Sequence, residues 1–250
     1  MSEDKTWKPT EDNKSKAVTF RVIAAIAWAI AIGLQIWAII KLKTVQEDGM
    51  TMMIVLIIGA LILAVTGNLL WKKANKLDPA SEKDKFKFFV QNQLGAIISV
   101  LAFLPLVIMI LTNKDLDGKQ KGILGGIAGA ALLIAGITGV DFNSASVEQY
   151  TEQTEKVKGL MNGVDTIYWT KYGKKYHLFK DCYTINGDDT DEIFENGTTV
   201  AEALKEKAAF RKDDALCKIC EKKAKKENDK MLDLNPDSEN ETEAEVDEAA

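Results

Sequence analysis

MMIVLIIGALILAVTGNLL, residues Met52 to Leu70, decides how the rest of the chain is read. It holds no charged side chain, and Thr66 and Asn68 are its only polar residues. A helix needs about 20 apolar residues to cross a hydrocarbon core roughly 30 Å thick. This stretch meets that length and ends against Trp71, a residue type that favours the membrane interface. Three more stretches qualify: Ala17 to Ile40, about Phe88 to Leu111, and Ile123 to Val140. Buried helices of a water-soluble protein are the competing reading. Four such runs joined by lysine-bearing loops fit membrane spans better. The first run is longer than the apolar region of a cleaved leader, about 7–15 residues, so it reads as an uncleaved anchor.

The spans divide the chain. Its 250 residues are 46% hydrophobic and 28% charged, with a net charge of -5, but those averages describe neither half. The sequence predicts a leader (1–16), a four-helix transmembrane bundle (17–140), a helical connector (141–163), a small α+β module (164–226) and a tail (227–250). From Glu227 onward ten acids face one lysine, with no aromatic residue. Such a segment buries too little surface to offset its ordering entropy, so the tail is expected to be disordered.

Lysine and arginine bias sets the expected orientation. Lys5, Lys8, Lys14, Lys16 and Arg21 lead into the first span, and Lys72, Lys73, Lys76, Lys83, Lys85 and Lys87 fill the second loop. The other two loops carry only Lys41 and Lys43, and Lys114, Lys119 and Lys121. Both termini are therefore expected in the cytoplasm, with the bundle in the cell membrane.

No charge falls inside Val22–Ile40, Met52–Leu70, Leu94–Leu111 or Ile123–Val140. Intramembrane charges usually mark transport routes, so an ion-coupled transporter is disfavoured, while a passive pore stays open. Arg21 is expected to snorkel, Gln35 and Asn68 to hydrogen-bond between helices, and Pro105 to kink the third span. Gly122/Gly126 and Gly125/Gly129 let a helix approach closely. Packing within the chain is the preferred reading, with homo-oligomerisation through the fourth span as the other. Asp48-Gly49 and Asp117-Gly118 read as turns before the second and fourth spans, a faint repeat of two helical hairpins.

In the connector, Val147, Tyr150, Thr154, Val157 and Met161 follow heptad spacing, which predicts a short amphipathic stalk ending at Asn162-Gly163. TIYWT and YHLF, flanking KYGKK, then predict a β-hairpin with His177 on its second strand. An irregular acidic stretch, INGDDTDEIFENG, precedes Thr199 and Glu202, a capping box for the helix TVAEALKEKAAF. The expected core is Ile167, Trp169, Leu178, Ile193, Phe194, Leu204, Phe210 and Ile219.

All three cysteines, Cys182, Cys217 and Cys220, and the single histidine, His177, lie in this module. An odd cysteine count speaks against a simple disulfide framework. The spacings H-x4-C and C-x2-C supply one Cys3His set, a standard tetrahedral zinc donor set. One structural zinc ion is therefore expected on His177, Cys182, Cys217 and Cys220, and its binding would help fold so small a module. A haem site would need His at position 221, which is Glu. An iron–sulfur cluster and unliganded thiols are the remaining readings.

The run W-T-K-x-G-K-K-Y-H-x4-C, a T-x-x-E-A helix and L-C-K-x-C resemble the small zinc module of the Ada-type metal-binding family. The likeness covers about Thr166 to Lys223 and implies the same four ligands. The Ada repair protein uses four cysteines, one of them a methyl acceptor. His177 stands at the first position here, so the likeness implies the metal-bound fold without methyl transfer.

A closed four-ligand shell leaves no open metal position, and the chain has no second histidine, P-loop or nucleophile elbow, so no catalytic residue is expected. Three roles remain: a scaffold docking a cytoplasmic protein, a zinc or thiol-redox sensor, and a membrane-tethered nucleic-acid binder. Residues 171–226 hold 13 Lys or Arg against 11 Asp or Glu, too balanced for the basic footprint nucleic acid requires.

Overall fold

The computed structural model describes residues 6–42, 47–185 and 197–234. Lys5, Lys43, Ile193, Phe194, the acidic stretch 186–196 and the tail beyond Leu234 lie outside the described residues. The chain forms two compact units, Lys8–Val147, and Trp7 together with the chain from Glu148 onward.

Four helices build the first unit: α1 (Glu11–Lys41), α2 (Glu47–Leu77), α3 (Lys85–Thr112) and α4 (Gly118–Gly139). All four are long and apolar enough to cross a membrane. At 1.5 Å per residue the 31-residue α1 and α2 are about 46 Å long, so they outreach a hydrocarbon core of roughly 30 Å. At the N-termini of α1, α3 and α4 side-chain caps take up orphan backbone donors. Thr10 accepts from Asn13 N and Asp84 from Lys87 N. Asp117 and Gln120 form a reciprocal capping box at 2.7 and 3.0 Å. Asp48-Gly49, by contrast, lies in the first turn of α2 and not in a turn before it.

α1 packs chiefly on α2 and α3 on α4, so the spans form two helical hairpins joined mainly where α2 meets α4. On α1 small residues turn inward, whereas α2, α3 and α4 also bury large ones, among them Met53, Ile57, Phe103, Leu106, Ile110 and Leu124. The buried positions of α1 are Ala17, Ala24, Ala27, Trp28, Ala31, Gln35 and Ala38, while Val22, Ile26, Ile30 and Trp37 face outward. Small residues let backbones approach closely where burial against lipid gives no hydrophobic gain. Gly139 shows the extreme case: a Cβ there would collide with backbone atoms of Gly95 and Ala96 on α3.

The glycine expectation is corrected in detail. Gly125 does pack within the chain, against Leu111, but an added Cβ at Gly122, Gly126 or Gly129 would meet nothing within 4 Å. The close approach between helices is made instead by Gly95 and Gly139. α3 continues as helix through Pro105.

Polar residues tie one end of the bundle together. Asn68 accepts from the Trp28 indole N–H at 3.1 Å and donates to the carbonyl of Ala135 at 2.9 Å. Its amide also lies 3.2 Å from Ser99 Oγ and 3.3 Å from Thr138 Oγ1, so it links all four helices. Gly67 makes room for that indole, since a Cβ there would sit 2.5 Å from Trp28 Nε1. Gln35 differs from expectation: it is buried, and neither of its amide atoms has a hydrogen-bond partner. Arg21 is half of an ion pair, with Nη1 2.6 Å from Asp78 Oδ2 and Nη2 donating to the Asp78 carbonyl.

The second unit contains α5 (Val147–Leu160), α6 (Val200–Glu206), a 3-10 turn (Ala208–Arg211) and α7 (Lys218–Leu234). No named strand occurs among the described residues, so the β-hairpin is corrected to isolated bridges. Tyr168 and His177 exchange both backbone hydrogen bonds, at 2.8 and 2.7 Å. The pairing stops there because its neighbours are engaged elsewhere. Ile167 pairs with Thr198, Tyr176 with the 215–217 segment, and the Thr170 carbonyl takes the Gly173 N–H in a turn.

Thr199 caps α6 through Glu202 N, but the helix stops at Glu206, short of the expected Phe210. For residues 227–234 the expected disorder is corrected, because α7 continues to Leu234. An i,i+4 pair between Glu221 and Lys225 supports it, and Asn228 reaches the Leu160 carbonyl at the end of α5.

Candidate metal centre

Three pieces of backbone bring the donors together. The Tyr176 N–H donates to Ala215 O and the Cys217 N–H to Tyr176 O, both at 2.9 Å, which sets His177 beside Cys217. Successive turns, Cys182 N to Phe179 O and Ile185 N to Cys182 O, fold the chain around Cys182. The Glu221 N–H donating to Cys217 O opens α7, so Cys217 sits at its mouth and Cys220 in its first turn.

The result is one cluster. The donor atoms of His177, Cys182, Cys217 and Cys220 all lie within 4.8 Å of one another, and all four residues are buried. His177 Nδ1 is 3.7 Å from Cys220 Sγ. A tetrahedral ion about 2.3 Å from sulfur and 2.0–2.1 Å from nitrogen would hold its donors roughly 3.5–3.8 Å apart. The cluster therefore fits a small tetrahedral metal ion with modest tightening. None of the cysteines is in a disulfide.

No family model, curated protein or solved structure matches this chain. The geometry of the site has to carry its reading.

Charge in the cluster is graded. Burial pushes the Cys220 thiol up to about 12, although backbone N–H groups of Phe179 and Leu178 oppose it. Burial also works to raise Cys217. Hydrogen bonds from the Cys220 backbone, the Thr184 hydroxyl and the Ile219 backbone outweigh it, and that thiol lies below its ordinary value. Burial lowers His177, which favours the neutral imidazole a metal requires. Amide N–H groups aimed at sulfur are what a thiolate needs in place of water.

Thr184 was not singled out by the sequence. Its hydroxyl lies 3.1 Å from Cys182 Sγ, 3.5 Å from His177 Nδ1 and 3.7 Å from Cys217 Sγ. It touches three of the four donors and can donate to a thiolate. The only available signal was its place two residues after Cys182, within the turn.

Around the cluster the core is aromatic. Ile167, Trp169, Leu178, Leu204 and Phe210 are buried as expected, but Ile219 is 37% exposed. It lies between the two cysteines of C-x2-C, and with both sulfurs turned inward it faces out. Tyr176 and Tyr150, absent from the expected core, are fully buried. The Tyr176 hydroxyl donates to Gln153 Oε1 at 2.5 Å, so α5 is part of this core. Burial pushes Tyr150 up to about 12 against the pull of Arg211, and it raises Tyr176 as well, with Glu221 adding to it. Trp7 joins the same face: its backbone N–H donates to Thr151 Oγ1 and its ring stands 4.6 Å from that of Tyr150.

Proposed function

We propose that this is a multi-pass protein of the cell membrane whose cytoplasmic module, folded around one structural zinc ion, serves as a docking element for a cytoplasmic protein. The convergence of His177, Cys182, Cys217 and Cys220 within 4.8 Å carries this reading. A Cys3His donor set with N–H groups directed at its sulfurs suits zinc better than harder cations, which prefer oxygen. It is also the ligand set that the Ada-type resemblance implies. The ion would have four protein donors and no open position, which favours a structural over a catalytic role. Zinc would supply a cross-link between the 177–185 loop and the start of α7, and the residues themselves would orient and shield it.

The cytoplasmic placement is supported by the lysine-rich leader and second loop. Four crossings return the chain to the side it started from. A cytoplasmic, reducing setting keeps the thiols free to bind metal.

The test is capture from cells by the full chain and by Cys220→Ser, compared after crosslinking. The expected result is a cytoplasmic protein enriched with the native chain and lost with the variant. Identical capture profiles would contradict a zinc-dependent docking role.

A further inference from the structure

The four donors are not equally reachable. Beside the cluster is a cleft of about 390 Å³ whose walls include Thr170, Lys174, Lys175 and Lys218. His177 and Cys217 line it, whereas Cys182 and Cys220 do not. Among the described residues no carboxylate lines it. Three lysines thus line the cleft that leads to Cys217. Lys174 and Lys218 are exposed, and Lys175 donates to the Asp214 carbonyl, which fixes its amine near the wall.

We propose that Cys217 is the cysteine through which the cluster is chemically modified, and that the cleft admits small anionic disulfides, those bearing carboxylates, to its sulfur. The choice of Cys217 rests on the cleft; the consequence, metal loss, rests on the zinc reading above. A cleft lined by one sign of charge raises the local concentration of a counter-charged reactant and its encounter rate. A neutral reagent gains nothing from those lysines.

The chemistry is thiol–disulfide exchange. The Cys217 thiolate attacks one sulfur of the reagent, a Cys217–reagent S–S bond forms, and the other half leaves as a thiolate with the electron pair of the broken bond. The sulfur of Cys220 or Cys182, within 4.8 Å in the folded cluster, then attacks the Cys217 sulfur and expels the second reagent thiolate. Two protein thiolates are oxidised to one disulfide and one reagent disulfide is reduced to two thiolates. An ion held by the cluster would keep only two of its four protein donors, which would favour its loss.

The experiment uses the full chain in detergent, with its metal, and a sub-stoichiometric amount of dithiobis(nitrobenzoate), a dianionic disulfide. Peptide mass spectrometry locates the first adduct, and a zinc-sensitive dye follows release. Dithiodipyridine serves as the neutral counterpart. Cys217 is expected to carry most of the first adduct from both reagents. The anionic rate is expected to fall roughly tenfold from low to high salt, and several-fold in the double variant Lys174→Gln, Lys218→Gln. The neutral rate should stay within about twofold under the same changes, since it has no charge to screen. First labelling at Cys182 or Cys220, even labelling of all three, or an anionic rate indifferent to salt and to the lysines would overturn the proposal. If no metal copurifies, the zinc reading fails while the labelling order still scores this one; if metal is present and labelling is even, zinc stands and this proposal falls.

Discussion

Along α1 the buried positions are five alanines, Trp28 and Gln35, and the large aliphatic residues point outward. In the module the order is the usual one, with Tyr150, Tyr176, Ile167 and Phe210 inside. The difference follows from what surrounds each unit. Against lipid, apolar burial gains little, so close backbone contact and a few hydrogen bonds specify the packing. Against water the apolar core contributes directly, but this module is small and carries a buried cluster of four side chains that could hold a metal ion. A bundle held by shape should be sensitive to single added methyl groups and blind to metal. The module should be the reverse.

The largest expected effect is on the module. Cys220→Ser, or a strong chelator, should abolish amide-exchange protection around Tyr168, His177 and Cys217 while leaving that of α1 to α4 unchanged, as hydrogen-exchange mass spectrometry would show. Structural zinc in small domains contributes on the order of 10 kcal/mol, more than a module of this size can spare. Loss of protection in both units together would break the division between them.

Next comes Gly139→Ala. Its methyl group would strike backbone on α3, and overpacking of this kind costs about 1–3 kcal/mol. Thermal unfolding in detergent should register it, whereas Gly126→Ala, where nothing lies within 4 Å, should stay within about 0.5 kcal/mol of the native chain. Equal effects from the two would remove the case for the Gly95–Gly139 contact.

The buried tyrosines give the module an alkaline limit. Their pKa values are raised in the folded state, so the stability they contribute is complete below pH 10 and is lost as pH rises toward about 12. Near-ultraviolet absorbance should show ionisation of Tyr150 coinciding with loss of module protection, and Tyr150→Phe should shift that transition upward. Ionisation near pH 10 with the module intact would contradict their burial.

The smallest effect is expected at the polar hub. Asn68→Ala should cost about 1 kcal/mol, since interhelical hydrogen bonds in membranes average roughly 0.6 kcal/mol and Asn68 makes several. A Trp28 fluorescence shift would report its lost partner. No change in either stability or emission would leave shape alone to specify the bundle.

The same contrast explains what the sequence made legible. Span length and hydropathy revealed the four helices, but not their inward faces, because apolar residues occupy every side, with leucine and isoleucine both buried and exposed on α3. The metal-site residues were legible because His177 and the three cysteines are the only ones of their kind in the chain. The hairpin was not, since Tyr176 pairs with the 215–217 segment, some forty residues on, and local alternation carries no record of such a partner. The heptad positions of α5 marked its apolar side, with Tyr150, Thr154 and Val157 all buried, but not that Gln153 would receive the Tyr176 hydroxyl. Residues 227–234 read as disordered by charge, yet tertiary contact from Asn228 extends the helix through them.

The most direct measurement is the metal content of the purified full chain by elemental analysis, with hydrogen exchange of the module before and after chelation. The expected result is one zinc per chain, with protection of the module lost when it is removed and regained when it is restored. A chain that purifies without metal, and whose module keeps its protection in chelator, would contradict a fold built around His177, Cys182, Cys217 and Cys220.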